Sequence, residues 1–282
     1  MNQIELNNLT QYSLWPARLL GLESWETPDR TIQKVESEYN LDKYNKCLNY
    51  YLSNADFNIA DVRKFQDGND NTEVCISVEN TLHKISLQEA NFKYSHLLLT
   101  KMRSEIEKCQ TVVELGCGYG YNLWHLANNF EQAISWRGGE YSQNAINLAS
   151  MFNLKKNHHI EVEYFNFYES KTYQYLSYLK PPVVIFTSHA IEQLPDASTV
   201  FKTIVEYREN IQAVFHFEPV YELYDQTLLG MLRRSYTEAN DYNTNLLSEL
   251  KKMSNINICN IDINILGSNP LNPTSVIHWK FI

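Results

Sequence analysis

The chain has 282 residues, of which 44% are hydrophobic and 20% charged, enough to bury one large α/β domain with additions or two small domains. No apolar run reaches the roughly 18 residues of a membrane span, and Met1 to Leu6 lack the basic flank and apolar stretch of a secretory leader, so a cytoplasmic protein is expected. The formal net charge of -9 disfavours large nucleic acids as partners, because gripping a phosphate backbone normally takes a basic surface.

The first 90 residues read as mainly helical with a short extended insert. Apolar and aromatic residues recur at helical spacing through Tyr39, Tyr44, Cys47, Leu48 and Tyr51. A turn-rich loop, Gln66 to Asn71, then leads to a strand over Glu73 to Val78. From Leu87 to Lys108 the pattern is helical again, with Leu98, Met102 and Ile106 on one face.

Beyond Thr111 short apolar runs alternate with amphipathic helices, the pattern of parallel strands joined by crossovers. The predicted strands are Thr111 to Leu115, Ala133 to Gly138, Ile160 to Phe165, Val183 to Thr187 and Ala213 to Phe217. A long helical stretch, about Tyr224 to Met253, follows, then extended runs at Ile256 to Leu266 and Val276 to Ile282. The loop between these last two is too short for a parallel crossover, so they are expected to form an antiparallel hairpin.

In Val112-Val113-Glu114-Leu115-Gly116-Cys117-Gly118-Tyr119-Gly120 an apolar strand runs into three glycines at alternate positions and then into a helix beginning near Asn122. Glycine permits the sharp turn and the close approach of backbone to a ligand, and the helix start offers free N–H groups. Three further strand ends carry polar groups. Glu140, in Gly139-Glu140-Tyr141-Ser142, suits a ribose diol; Asn166, between Phe165 and Phe167, suits an adenine edge; and Thr187-Ser188-His189 closes the fourth strand. In open α/β sheets ligands lie at these carboxyl ends.

From about residue 90 onward the chain resembles the class I S-adenosylmethionine (SAM)-dependent methyltransferases. Glu114 to Gly120 resembles their first motif, Glu140 their acidic ribose clamp, and Ser188-His189-Ala190-Ile191-Glu192-Gln193-Leu194 their fourth-strand segment. The resemblance implies a seven-stranded, mostly parallel sheet with a C-terminal antiparallel hairpin and helices on both faces. It also implies a division into an N-terminal extension, 1–90, and a catalytic domain, 91–282. Its implied cofactor is SAM, leaving S-adenosylhomocysteine (SAH) as product. By the same resemblance Gly116, Cys117, Gly118 and Gly120 pass beside the methionine group with Glu114 near its amino end, and Glu140 and Tyr141 meet the ribose. Asn166 and Phe167 address adenine, and Thr187 or Ser188 borders the methionine end. Asn166 stands where Asp is common, and Gln193 where many relatives have His.

A nicotinamide-binding protein would want G-x-G-x-x-G, but the third position here is Tyr121. A non-catalytic SAM-binding module on the same fold is the other rival. The five cysteines are scattered and show no C-x-x-C pair, and Thr187-Ser188-His189 replaces the carboxylates of metal-assisted relatives, so no metal is expected.

For the acceptor, His189 is the candidate general base, with capping of its loop as the structural alternative. Glu218, Tyr221, Glu222 and Arg233 follow the fifth strand and, with Tyr44, are candidate substrate contacts. Carboxylates beside aromatic faces suit an amine, and guanidinium suits a carboxylate, so a small amine or amino-acid-like nitrogen is the expected acceptor. O-methylation of a small phenol or carboxylic acid, or methylation of a peptide, are the competing chemistries. The N-terminal region, through Tyr39, Tyr44 and Tyr94, is expected to form a lid or substrate wall, or else the interface of a homodimer.

Overall fold

The computed structural model describes residues 2–26, 31–54, 56–154 and 160–282. Its strands are β1 (Asn2–Gln3), β2 (Glu73–Val78), β3 (Thr81–Ser86), β4 (Thr111–Leu115), β5 (Ser135–Glu140), β6 (Ile160–Tyr164), β7 (Val183–Ser188), β8 (Ile211–Glu218), β9 (Ile256–Gly267) and β10 (Thr274–Phe281). The helices are α1 (Trp15–Leu19), α2 (Ile32–Val35), α3 (Asn45–Leu52), α4 (Ile59–Asp67), α5 (Leu87–Ile106), α6 (Tyr121–Ala127), α7 (Gln143–Asn153), α8 (Ser198–Ile204), α9 (Leu228–Ala239) and α10 (Leu246–Lys251). A π-helical segment, Glu36–Tyr44, joins α2 to α3.

All ten strands form one sheet in the order β1-β3-β2-β9-β10-β8-β7-β4-β5-β6. Strand β4 pairs in parallel with both β5 and β7, so the chain reverses its direction of travel across the sheet there and opens a crevice at the strand ends. The expected terminal hairpin is present: β10 runs antiparallel to both β8 and β9.

The central strands β4 and β7 are buried on both faces, which is why they open as apolar runs, while the edge strand β6 alternates apolar and exposed residues. Val112, Val184 and Phe186 face Leu98, Met102 and Ile106 of α5, while Val113, Leu115 and Ile185 face Val200, Phe201 and Leu247 on the other side. The stripe predicted on α5 is fully buried in this layer.

Two expectations are corrected. The sheet has ten strands rather than seven, because the N-terminal region adds β1, β3 and β2 to the edge, where Ser77 and Val78 pair with Gly267 and Leu266 of β9. The β2–β3 turn uses Glu79 and Asn80 with φ of 46° and 70°, the geometry of a tight hairpin without its usual glycine. The helical stretch after β8 is also broken: α9 and α10 are separated at Asn240 to Asn245, where Asp241 has φ 51° and Asn243 bonds the backbone of Glu192 and Leu194.

Arg233, expected at the substrate, is instead a buried tie in α9. It is 1% exposed, its Nε donates to the Pro270 carbonyl, and Nη1 donates to Asn80 in the β2–β3 turn. Burial pushes its pKa down to about 10. Arg233→Ala is expected to lower stability by about 2–4 kcal/mol, through lost packing and two orphaned acceptors, without changing SAH affinity. Urea unfolding and calorimetric titration check both halves, and a normal unfolding midpoint with impaired ligand binding would restore the substrate role.

Candidate active site at the strand ends

The glycine run turns the chain from β4 into α6 with φ of 79° at Gly116 and 56° at Gly118. Side-chain-bearing residues rarely adopt these values. Space is equally restrictive, since a Cβ at Gly116 would lie 2.5 Å from the Ala190 Cβ, and one at Gly118 would lie 2.6 Å from the Tyr44 hydroxyl. Backbone at this turn is therefore pressed against β7's following loop on one side and the N-terminal region on the other.

Around the turn lies a cleft of about 520 Å³. Glu114, Gly116, Cys117, Gly118, Glu140, Tyr141, Asn166, Phe167, Ser188 and His189, all expected at the site, line it. Glu140 is 7% exposed and its two oxygens accept from the backbone N–H groups of Gly118 (2.7 Å) and Ser142 (2.8 Å). Burial raises its pKa, and these backbone donors and Lys43 oppose the rise. Glu114 is buried too. One oxygen accepts from Asn122 at 2.7 Å and the other has no hydrogen-bond partner among the described residues. Desolvation carries its pKa up to about 8, despite Asn122.

Asn166 uses its oxygen to accept from Tyr168 N (3.0 Å) and its amide nitrogen to donate to Glu169 (3.2 Å), so it shapes the loop beside Phe167. Ser188 lies in a chain of hydroxyls and amides, 2.6 Å from Tyr94 Oη and 3.3 Å from Asn122 Nδ2.

The roof comes from the N-terminal helices. Residues Tyr39, Lys43 and Tyr44 of the π-helical segment and Arg63, Gln66 and Asp67 of α4 line the cleft, with Asn91 and Tyr94 of α5 beside them. Asn40 pins this roof to the floor: its side-chain oxygen accepts from Ser142 Oγ (2.8 Å) and Asn144 N (3.0 Å), and its carbonyl accepts from Asn144 Nδ2 (2.8 Å). Tyr44, expected at the substrate, stands over Gly118 and so belongs to the wall carrying the glycine turn.

His189 lines the cleft with φ 51°, and both ring nitrogens have partners: Nδ1 with Glu192 at 3.1 Å, and Nε2 with Thr274 Oγ1 at 2.8 Å. Glu192 also accepts from Asn272 and Gln193. Burial depresses the His189 pKa, but the Glu192 carboxylate, with Glu218 farther off, outweighs burial and Lys43, and the net shift is upward. A pKa raised by folding stabilises the native state fully below the unfolded value near 6.5, and that contribution fades as pH rises through the folded value. The stability difference between the wild type and His189→Gln is thus expected to be largest at pH 5–6 and to shrink above pH 7. Denaturant titrations across that range check it, and a difference independent of pH would remove the charged His189–Glu192 pair.

Several expected residues lie outside the cleft lining. Thr187 is wholly buried, 3.0 Å from His216 Nδ1, and Gly120 serves only the turn into α6. Glu218, also wholly buried, accepts from the backbone of Ala190, Ile191 and Glu192 and so holds the loop after β7; burial and Glu192 move its pKa up to about 7. Glu222 accepts from Leu247 N and Ser248 N at the start of α10, and Tyr221 donates to Glu238 at 2.6 Å. Nearness in sequence to β8 placed these groups at the substrate; the chain leaves the cleft immediately after Glu218. Conversely, Asn40, Lys43, Arg63, Asn122 and Asn272 join the site without an expectation from sequence, whereas Glu192 and Gln193 fall in the segment after the fourth strand that resembles the methyltransferase motif. Of the first five, only Asn122, one residue into the helix after the glycines, has a local clue.

Among the described residues no helix is long and apolar enough to cross a membrane, and no group of three His, Cys, Asp or Glu side chains is placed to hold a metal ion.

A parallel sheet of this order with a terminal antiparallel hairpin and a glycine turn after its central strand is the class I SAM-dependent methyltransferase fold. Magnesium protoporphyrin IX methyltransferase (ChlM) from Synechocystis PCC 6803, solved with bound SAH, superposes with a TM-score of 0.52 at 11% identity, covering 89% of this chain and 99% of that one. Weaker likenesses are to the plantazolicin methyltransferase BpumL (TM-score 0.46, 14% identity, 88% of this chain and 98% of that one) and the 16S rRNA methylase ArmA (0.47, 14%, 85% and 98%). No protein-family model and no curated protein matches the sequence.

Proposed function

We propose that the chain is a methyltransferase that uses SAM to methylate a small acceptor, an amine or amino-acid-like nitrogen. The observation that carries the cofactor half is the glycine cradle. Where a Cβ at Gly116 or Gly118 would collide with its surroundings, the bare backbone faces the cleft, bracketed by Glu114 and Glu140. These residues fit a ligand with an adenosine at one end and an amino acid at the other: Glu140 for the ribose hydroxyls, Glu114 with its unpartnered oxygen for an ammonium, and Phe167 for the adenine face. Bound there, SAM supplies an electrophilic methyl group on sulfur.

The chain's own part is alignment and exclusion of water. Asn40 holds the N-terminal roof against Ser142 and Asn144, closing the cofactor side. On the acceptor side Tyr94, Glu192 and Gln193 line the cleft, a carboxylate among aromatic and amide groups that suits an N–H-bearing acceptor. With both nitrogens engaged, His189 acts as a brace that orients Glu192, in place of the general base expected from sequence.

The test is transfer of labelled methyl from SAM into a metabolite extract, fractionated by cation exchange. Label in the retained, amine-containing fractions is expected. Label confined to neutral or acidic fractions overturns the nitrogen acceptor, and tight SAH binding with no transfer to any fraction leaves the binding module as the function.

A further inference from the structure

The N-terminal roof contributes more than cover. Among the described residues lining the cleft, Lys43 and Arg63 are the only lysine and arginine, against the carboxylates of Asp67, Glu114, Glu140 and Glu192. Their surroundings differ. Arg63 donates through Nε to Asp67 at 2.5 Å and lies over the Tyr121 ring, 5.1 Å from its centroid. Lys43 has neither hydrogen bond nor ion pair within the described residues; its ammonium sits over the Tyr39 and Tyr44 rings, at 5.1 and 5.6 Å. A half-buried ammonium held only by ring faces is under-satisfied, because its three donors want oxygen acceptors.

The position of the pair limits what they can serve. Tyr44, next in sequence to Lys43, stands over Gly118, and Arg63 reaches the start of α6 through Tyr121, while the helix containing Lys43 is pinned to Ser142 by Asn40. Both cations therefore overlook the glycine turn. A ligand whose amino-acid end lies along that turn carries one ammonium and one carboxylate. Glu114 complements the first, and among the described residues of the cleft wall Lys43 and Arg63 are the lysine and arginine that complement the second.

Resting on the SAM reading above, we propose that Lys43, assisted by Arg63, binds the carboxylate of the cofactor's methionine group, so that the N-terminal roof supplies half of the cofactor's amino-acid site. Cofactor binding and seating of the roof are then one event. Burial and the neighbouring Arg63 lower the Lys43 pKa in the ligand-free chain, and an arriving carboxylate relieves both effects.

The test compares SAH with its decarboxylated analogue, 5′-deoxy-5′-(3-aminopropylthio)adenosine, by calorimetric titration of the full chain. The wild type should prefer SAH by about tenfold or more, the scale of one charge-assisted contact. Lys43→Met should abolish most of that preference by weakening SAH alone, and Lys43→Arg should restore part of it. Because Lys43 makes no hydrogen bond, Lys43→Met should melt with the wild type, which a parallel thermal scan verifies; if it does not, Lys43→Gln serves in its place. Equal weakening of both ligands, or unchanged SAH affinity, overturns the proposal. If neither ligand binds the wild type, the SAM reading itself fails and takes this proposal with it.

Discussion

The Gly118→Arg chain is expected to show no measurable binding of SAH while keeping a cooperative melt within a few degrees of the wild type. Two effects add at this position. The φ of 56° costs a side-chain-bearing residue roughly 1–2 kcal/mol, and the new Cβ meets the Tyr44 hydroxyl at 2.6 Å. Tyr44 can yield only by lifting the roof that Asn40 ties to Ser142 and Asn144. The arginine stem then fills the space along the turn where the proposed ligand lies. The sheet beneath is untouched, because Gly118 follows β4 and contributes nothing to its ladder. Gly118→Ala keeps the backbone strain and the clash at Cβ but leaves the cleft open, so it separates both from the filling of the cleft, and should weaken SAH by about tenfold. Wild-type affinity in the arginine variant would mean that the turn is only a turn.

Glu140→Ala is the second large effect, an expected loss of about 30- to 150-fold in SAH affinity, equivalent to roughly 2–3 kcal/mol for lost hydrogen bonds to a charged acceptor. The carboxylate also organises the floor. It accepts from Gly118 N and Ser142 N, and Ser142 in turn donates to Asn40, so one side chain links glycine turn, β5 end and roof. Its removal leaves two buried N–H groups without their acceptor, and the melting temperature should fall as well. Glu140→Gln preserves the shape and one acceptor, and should sit between the two in both measurements. If alanine lowers the melting temperature but not the affinity, Glu140 is a purely structural link and the ribose assignment is wrong.

These expectations rest on groups that were readable in different degrees. The wall of the cleft that carries the glycines is legible because each part is local: a strand of apolar residues, glycines at alternate positions, and a polar residue at the end of the next strands. Burial on both faces forces the first, positive φ forces the second, and the opening of the crevice at the carboxyl ends selects the third. Thr187 is instructive, since it shares the strand end with Ser188 yet points into the sheet toward His216; alternation along a strand allows only one of the two neighbours to face the cleft.

The far side of the cleft is not legible in sequence, because proximity along the chain is not proximity in space. Glu218, Tyr221, Glu222 and Arg233 follow β8 closely, yet the chain turns away from the cleft there, and Arg233 ends beside Asn80 and Pro270, residues 153 and 37 positions distant. Their place at the cleft is taken by Asn272, Asn269 and Ser268 from the β9–β10 loop and by α4 and α5 from the first hundred residues. Strand β3 was hidden for a different reason: its turn uses Glu79 and Asn80 in place of glycine, and it runs without interruption into α5.

The parallel sheet, its terminal hairpin and the glycine turn between Glu114 and Glu140 follow from periodicity and backbone conformation within a few residues, and so can be read along the chain. That the N-terminal region extends the sheet and roofs the cleft, with Lys43 and Arg63 above the glycines, depends instead on contacts made in three dimensions. Those contacts join residues some 55 positions or more apart, through side-chain packing that leaves no periodic trace in the chain.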